Sequence, residues 1–281
     1  MGDAVLLSKG AYLPINRCNV PAVVLGSLAF QENPVPLALD GVRELHRDLF
    51  LRLEAAPLLP RRSALFQDYV TVHFRLEHLE EAGLLVAQDA GRRQKQRAKA
   101  NYVRMIRGWS FDADSREGAV MKAWVESRFG LTPRYHGEPL RDFSSPAYQR
   151  YLEMRAQGLY GTNALEAQLD LVYTYCQYEF ARQTPGLRHL TLYRGVNRLT
   201  EFERLPETSE ARSEKRHTLL MNNLNSLTGT RDRADEFGDT ILTLKVPIAK
   251  IFFHCRLLHG VLQGEDEFLT IGGIYDVECS R

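Results

Sequence analysis

The chain has 281 residues, 44% of them hydrophobic and 25% charged, which is an ordinary composition for a folded globular protein. The formal net charge is +1, so overall charge gives no argument for nucleic acid or an acidic membrane as a partner. No apolar run approaches the roughly 20 residues of a membrane span and the N-terminus lacks the segments of a signal peptide, so we expect no stable membrane insertion.

The first two segments are an arm and a helical region. Residues 1–39 are irregular because four prolines interrupt any helix, and we expect an arm that packs on the rest of the chain. Residues 40–185 follow a helical period. The first helix is marked by Val42, Leu45, Leu49 and Leu53, with Asp40 as cap, and the second, between Ser63 and Gly83, by Leu65, Tyr69, Val72, Leu76 and Leu79. The next three are marked by Ala98, Tyr102, Met105 and Trp109; by Val120, Trp124 and Phe129; and by Pro146, Tyr148 and Leu152. The sixth is marked by Leu165, Leu169, Val172, Cys176 and Phe180, with Asn163 and Glu166 as a capping box.

A basic run lies inside the helical region, at residues 92–97 and continuing through Lys99, Arg104 and Arg107. One interpretation is a docking face for an acidic partner or for phosphate. The other is a solvated helix surface, which we favour because aromatic residues are not interleaved as in a nucleic-acid stacking platform. Trp109 and Trp124 have helical spacing and are predicted to be core residues.

After Pro185 and Gly186 the period changes to that of strands, over residues 189–196, 240–246, 251–255 and 268–277. Helices followed by clustered strands predict an α+β fold, with residues 186–281 as the β-rich part of one continuous domain. The four cysteines lie far apart without a CxxC pair, which is typical of reduced thiols in a cytoplasmic protein. His254, Cys255 and His259 lack the spacing of metal ligands, so no metal is predicted.

Three motifs in this part carry candidate chemistry. Arg194 ends a predicted strand, where its planar fork of donors can bind a phosphate, and Gly195 would let the backbone approach a ligand. Residues 222–230 are dense in small hydrogen-bonding side chains, including Ser226 and Thr228, and precede a short predicted helix over residues 231–237. Each motif alone is also compatible with plain surface, since most such arginines form ion pairs and most such stretches are polar loops.

The third motif is Glu265-Asp266-Glu267, which runs directly into a predicted strand. Alternate residues of a strand point to the same face, so the two glutamates would be aimed together while Asp266 points away. Two adjacent carboxylates are costly unless something uses them. The alternative for a Glu-x-Glu taken alone is a solvated acidic turn.

The order of these motifs resembles the mono-ADP-ribosyltransferases of the arginine–serine–glutamate class over roughly residues 187–276. Arg194 matches the first motif of that class, and Glu265 and Glu267 match the third. In the middle motif two registers fit, one beginning at Ser226 and one at Thr228, and neither reads Ser-Thr-Ser; we prefer Ser226 as the leading serine. The whole chain looks most like the dinitrogenase reductase ADP-ribosyltransferase family of nitrogen-fixing bacteria.

This resemblance implies a fold in which the helical half packs on a core of two small, mainly antiparallel sheets. It implies that ADP-ribose is transferred from NAD to an arginine of the nitrogenase iron protein (dinitrogenase reductase), which switches off nitrogen fixation. It also implies a PII-type nitrogen signal protein as a regulatory partner. The site residues carried over are Arg194, Gly195, Ser226, Thr228 and Glu267 for NAD, and Glu267, Glu265 and Ser226 for catalysis.

These roles have a physical basis. Breaking the nicotinamide–ribose bond passes through an oxocarbenium-like state, which a carboxylate at Glu267 would stabilise with its position held by the Ser226 hydroxyl. Arg194 would bind a phosphate or the ribose on the adenosine side, and Gly195 would offer backbone groups to the nicotinamide amide. An acceptor guanidinium is protonated and a poor nucleophile, so a second carboxylate, Glu265, must bind it and accept a proton.

Two other functions stay open at this point. An NAD glycohydrolase, which passes ADP-ribose to water, would use the same core, and only Glu265 argues against it. A non-enzymatic nucleotide- or partner-binding module would use the basic run. Nicotinamide release from labelled NAD, with and without a protein acceptor, separates the three functions.

Overall fold

The structure is a computed structural model, and it describes residues 17–76, 101–160, 162, 164–199, 202–206, 215–259 and 266–280. Several residues singled out in the sequence lie outside this part of the chain. They are Leu79, Gly83, residues 92–97, Ala98, Lys99, Asn163 and Glu265.

The described helices occupy mainly the N-terminal two thirds of the chain. Their bounds are α1 (Ala22–Leu25), α2 (Leu28–Glu32), α3 (Val42–Leu45), α4 (Arg47–Ala55), α5 (Leu59–His73), α6 (Tyr102–Phe111), α7 (Arg116–Phe129), α8 (Pro146–Leu159), α9 (Leu165–Gln183) and α10 (Arg231–Asp235). None of the helices in this part of the chain is both long and apolar enough to cross a membrane.

Local capping explains where the middle helices begin. The side chains of Asn101, Ser115 and Ser145 each accept a hydrogen bond from the backbone N–H three residues later, which satisfies one free donor at the start of α6, α7 and α8. Gly130 ends α7 in the left-handed conformation, with φ of 70°. The sequence prediction of helices at these places is confirmed, and Tyr102, Met105 and Trp109 are all buried.

Two helices differ from the prediction. The helix expected from Asp40 onward is broken at His46 into α3 and α4, and its N-cap is Gly41. Leu45, expected on its buried face, is the last residue of α3 and is 77% exposed. The next helix, α5, begins at Leu59 instead of near Ser63, and its marker Val72 is exposed as well.

Eight strands are present in the described residues. They are β1 (Tyr135–His136), β2 (Glu138–Pro139), β3 (His189–Val196), β4 (Glu203–Arg204), β5 (Arg216–Thr228), β6 (Thr240–Pro247), β7 (Ile251–His254) and β8 (Glu267–Ser280). β1 and β2 form a small hairpin. The other six form an antiparallel sheet in the order β4-β5-β3-β6-β8-β7, and β5 also pairs with β8.

The strands confirm an α+β fold but correct the sequence reading in two places. The stretch that contains residues 222–228 is not a polar loop: it is the end of β5, a 13-residue strand that the sequence did not predict. The two separate small sheets are not confirmed, because β5 pairs with β8 over 11 residue pairs while β8 also pairs with β6, which joins the described strands of the core into one sheet.

The helices, the arm and the sheet share one hydrophobic cluster. Trp124 of α7 packs on Phe252 of β7, with ring centroids 4.8 Å apart. In the arm, the Gln31 amide donates to the backbone oxygens of Lys245 and Asp276 and accepts from the Asp276 N–H at 2.7 Å. These contacts fix the helical layer, including α6 and α7, against the sheet.

Candidate active site

Three neighbouring strands place the candidate residues of the three motifs together. Arg194 lies on β3, Ser226 on β5 and Glu267 at the start of β8. The register pairs Thr228 with both Tyr193 and Glu267, so the second half of β3, the end of β5 and the start of β8 meet at one end of the sheet. Residues separated by more than 70 positions in sequence therefore share one site.

The Ser226 hydroxyl and the Glu267 carboxylate are in direct contact. Ser226 Oγ donates to Glu267 Oε1 at 2.6 Å. The Glu267 backbone is also fixed, because its carbonyl accepts from the Cys255 N–H at 3.0 Å. The preferred register of the middle motif, with Ser226 as the leading serine, thus brings that serine onto the glutamate.

Two residues of α6 complete this group, and the sequence reading assigned neither of them to it. Trp109 Nε1 donates to Ser226 Oγ at 2.8 Å, and Ser110 Oγ lies 2.6 Å from Glu267 Oε2. Trp109 is 3% exposed, as predicted for a core residue, but its polar atom has a partner in the site. No signal in the sequence points to Ser110, because the contact depends on how α6 docks on the sheet.

Arg194 contributes positive charge to the same place. Its Nη1 donates to the backbone oxygen of Ser226 at 3.2 Å. The buried Lys122 lies with Nζ 5.7 Å from the centroid of the Trp109 ring and donates to Asp114 at 2.8 Å. Burial lowers the pKa of Lys122, Asp114 opposes this, and the positive charge of Arg194 lowers it further. The Arg194 guanidinium at this end of the sheet suits a ligand that carries phosphates.

The two remaining candidates for NAD binding have packing functions in the structure. A Cβ at position 195 would lie 1.9 Å from the carbonyl oxygen of Ala234, so Gly195 is required for the close contact between β3 and α10. Thr228 is buried, and its hydroxyl accepts from the Thr230 N–H at 3.4 Å in the turn after β5. Neither contact involves the Glu267 carboxylate.

The acidic motif is described only in part, since Glu265 lies outside the described residues. Asp266 Oδ1 accepts from Arg256 Nη2 at 3.2 Å, and the Asp266 carbonyl accepts from the Gly229 N–H. A Cβ at position 229 would lie 2.3 Å from Asp266 Oδ2. Asp266 is therefore engaged with the turn after β5, while Glu267 bonds Ser226 and Ser110.

His254 flanks the glutamate strand as a neutral aromatic ring. It stacks on Phe268 with ring centroids 5.7 Å apart and an interplanar angle of 24°. Burial, helped by the charge of Arg256, lowers the pKa of His254 to about 4, so the imidazole is uncharged near neutral pH. Within the described residues, no cluster of three or more His, Cys, Asp or Glu side chains could hold a metal ion.

Taken together, the site holds one carboxylate with hydroxyl donors on both oxygens, and an arginine on β3 that bonds the backbone of Ser226. A fixed carboxylate can stabilise a developing positive charge such as an oxocarbenium ion. The arginine can bind an anionic part of the same ligand. This combination suits the cleavage of a glycosidic bond in a substrate that carries phosphates.

Comparisons with known proteins agree with this chemistry. Residues 15–279 match the family described as "Dinitrogenase reductase ADP-ribosyltransferase (DRAT)". The chain is 40% identical over 267 residues, covering 94% of each protein, to the "NAD(+)--dinitrogen-reductase ADP-D-ribosyltransferase" of Rhodospirillum rubrum. No solved structure gives a significant match. Because the family match extends over nearly the whole chain, this protein belongs to the dinitrogenase reductase ADP-ribosyltransferase family.

Proposed function

We propose that this protein transfers ADP-ribose from NAD to an arginine side chain of dinitrogenase reductase, the nitrogenase iron protein, and thereby switches off nitrogen fixation. The observation that supports this most directly is the Glu267 carboxylate, held by Ser226 at 2.6 Å beside Arg194 in a member of this family. The relative from Rhodospirillum rubrum is named as an ADP-D-ribosyltransferase that acts with NAD on dinitrogen reductase. NAD is a substrate in this scheme, and no metal takes part.

In the proposed reaction, the bond between nicotinamide and ribose breaks first and leaves an oxocarbenium-like ribose. Glu267 stabilises that charge through its carboxylate oxygens. Arg194 binds the pyrophosphate or the neighbouring ribose through its planar fork. Ser226 keeps the carboxylate in place, and Gly195 and Thr228 shape the adjoining backbone.

The acceptor step needs a second carboxylate, which we assign to Glu265. A guanidinium nitrogen forms the new bond to the ribose carbon and must lose a proton as it does so. Because β8 begins at Glu267, this assignment rests on the place of Glu265 two residues earlier in the same motif and on the chemistry that the acceptor needs. Glu265 would hold the guanidinium and accept that proton.

Exchanging each glutamate for glutamine tests the two roles separately. Glu267→Gln should abolish both nicotinamide release and transfer, because the charge that stabilises the ribose cation is lost while the shape is kept. Glu265→Gln should lower transfer to arginine by about a hundredfold or more, the usual effect of removing a positioned base, and leave some NAD hydrolysis. Labelled NAD with purified dinitrogenase reductase follows transfer, and free nicotinamide follows cleavage.

The outcomes separate the functions. If Glu265→Gln modifies arginine at the wild-type rate, arginine specificity does not reside in this residue. If the wild-type protein releases nicotinamide but labels no protein, the NAD glycohydrolase function replaces the transferase. Wild-type activity in Glu267→Gln would remove Glu267 from the mechanism.

The proposal has two further parts. We place the reaction in the cytoplasm, because the scattered cysteines without a CxxC pair are typical of reduced thiols there, and we propose a PII-type nitrogen signal protein as the regulatory partner from the family resemblance. Co-purification of the two proteins from nitrogen-fixing cells, with and without an ammonium shift, tests the partner. Absence of any complex in both conditions would contradict it.

A further inference from the structure

We propose that Trp109 and Ser110, two consecutive residues of α6, are positioning residues that hold Ser226 and the Glu267 carboxylate in the orientation needed for NAD cleavage. This inference rests on the proposed function, because it assigns these residues to the same reaction. The helical half of the chain would then contribute directly to a site in which Arg194, Ser226 and Glu267 lie on strands.

The direction of the hydrogen bonds follows from the Trp109 indole. An indole N–H can only donate, so Ser226 Oγ must accept the 2.8 Å bond from Trp109. The hydroxyl proton of Ser226 is then directed to its other partner, Glu267 Oε1 at 2.6 Å. Trp109 therefore fixes the rotor of Ser226 as a donor to the carboxylate.

Ser110 holds the second carboxylate oxygen. Its hydroxyl lies 2.6 Å from Glu267 Oε2 and 3.1 Å from the carbonyl oxygen of Ile106, one turn earlier in α6. A hydroxyl has one proton to donate, and an ionised carboxylate can only accept. The shorter, charge-assisted bond therefore goes to Glu267. With a donor on each oxygen, the plane of the carboxylate is fixed and not only its position.

The helix that carries both residues is itself anchored. The Tyr102 N–H at its first turn donates to the side chain of Gln168 at 3.0 Å, and Met105 and Ile106 are buried. At Gly108 an added Cβ would lie 2.5 Å from the side chain of Glu117, so α6 and α7 are in close contact. Functional groups on packed helices are held more accurately than groups on loops.

A double-mutant cycle tests the Trp109 part. Trp109→Phe keeps an aromatic ring and removes the N–H; Ser226→Ala removes the hydroxyl through which Trp109 is proposed to act. Each change should lower kcat for nicotinamide release by about tenfold, because the carboxylate loses a directed hydroxyl donor. Trp109→Phe should also leave the KM for NAD within about twofold, because Trp109 is proposed to act through Ser226 and not on NAD itself. In the Ser226→Ala background, Trp109→Phe should cost nothing further.

Conservative rescue tests the Ser110 part. Ser110→Ala should lower kcat by about tenfold, and Ser110→Thr should restore it because threonine keeps a hydroxyl that can be aimed from a helix. Thr174→Ala is the control, since the Thr174 hydroxyl also lies on a helix within hydrogen-bond distance of the carbonyl one turn earlier, at 2.8 Å in α9, but has no contact with Glu267. This control should keep wild-type kcat, and thermal melting should show that all variants fold.

The results distinguish the inference from the proposed function. If the wild-type protein releases nicotinamide but the two changes at Trp109 and Ser226 act additively, or Ser110→Ala has wild-type kcat, the positioning roles are wrong while the proposed function stands. A wild-type protein that cleaves no NAD overturns both. Ser110 is at an exposed position, so its variants should fold. They therefore test whether α6 positions the Glu267 carboxylate even if Trp109→Phe does not fold.

Discussion

Lys250 gives a sharp test of the electrostatics of the fold. It follows β6 and is fully buried, with Nζ donating to the Gly272 carbonyl at 2.9 Å and lying 4.6 Å from the centroid of the Tyr275 ring. Burial lowers its pKa from 10.5 to about 7. At pH 7 this difference costs the folded state about 4 kcal/mol, because one pKa unit corresponds to about 1.4 kcal/mol.

The sign of the pH dependence follows from proton counting. Between pH 7 and 10.5 the unfolded chain holds the Lys250 proton and the folded chain has largely lost it. The unfolding free energy therefore rises with pH in this window and is insensitive to Lys250 below it. From pH 7 to pH 9 the contribution of Lys250 to stability should increase by about 2 kcal/mol.

Lys250→Met keeps the length of the side chain and removes the charge. The stability advantage of this variant over the wild type should shrink by about 2 kcal/mol between pH 7 and pH 9. Urea unfolding at several pH values measures it, and other titrating groups cancel in the difference. Lys245→Met, at an exposed position of β6, is the control and should show a constant difference. A constant difference for Lys250→Met would refute a buried, titrating ammonium.

Three further changes probe the site and its support. Arg194→Lys keeps the charge but loses the planar fork, and should lower kcat/KM for NAD at least about tenfold with unchanged melting temperature; near-normal turnover would make Arg194 structural. Gly195→Ala places a Cβ 1.9 Å from a backbone oxygen and should destabilise by about 1–3 kcal/mol in urea unfolding, whereas wild-type stability would contradict the close packing. Glu179→Gln breaks the buried pair with Arg62 at 2.7 Å and should cost about 3–5 kcal/mol. Glu54→Gln, in the exposed pair with Arg43, should cost less than about 1 kcal/mol. A loss of stability equal to that of Glu179→Gln would refute the difference between the buried and the exposed pair.

Much of the local structure could be predicted from the sequence. Apolar spacing identified the helices that contain Trp109 and Trp124, alternation identified β3, and strand composition identified β6 and β7. Prediction failed where local signals are weak or conflict. β5 carries a run of asparagines with low strand propensity, and it forms because β8 supplies its backbone partners over 11 residue pairs.

The break at His46 has a similar origin. The apolar spacing from Val42 to Leu53 suits one continuous helix, but α3 ends at Leu45 and α4 begins at Arg47. Tertiary contacts decide this: the His46 ring packs against Tyr69 and His73 of α5 and its Nδ1 lies 3.0 Å from the Tyr69 hydroxyl. Such contacts are invisible in a hydrophobic pattern, because they depend on which helix becomes the neighbour.

The same division applies to the candidate site. The order of Arg194, Ser226 and Glu267 along the chain, in motifs that resemble a known class, could be read without coordinates. The contacts of Trp109 and Ser110 with two of these residues could not. A motif indicates what each side chain can do, whereas the partners of a hydroxyl or a carboxylate are set by the docking of α6 against the sheet.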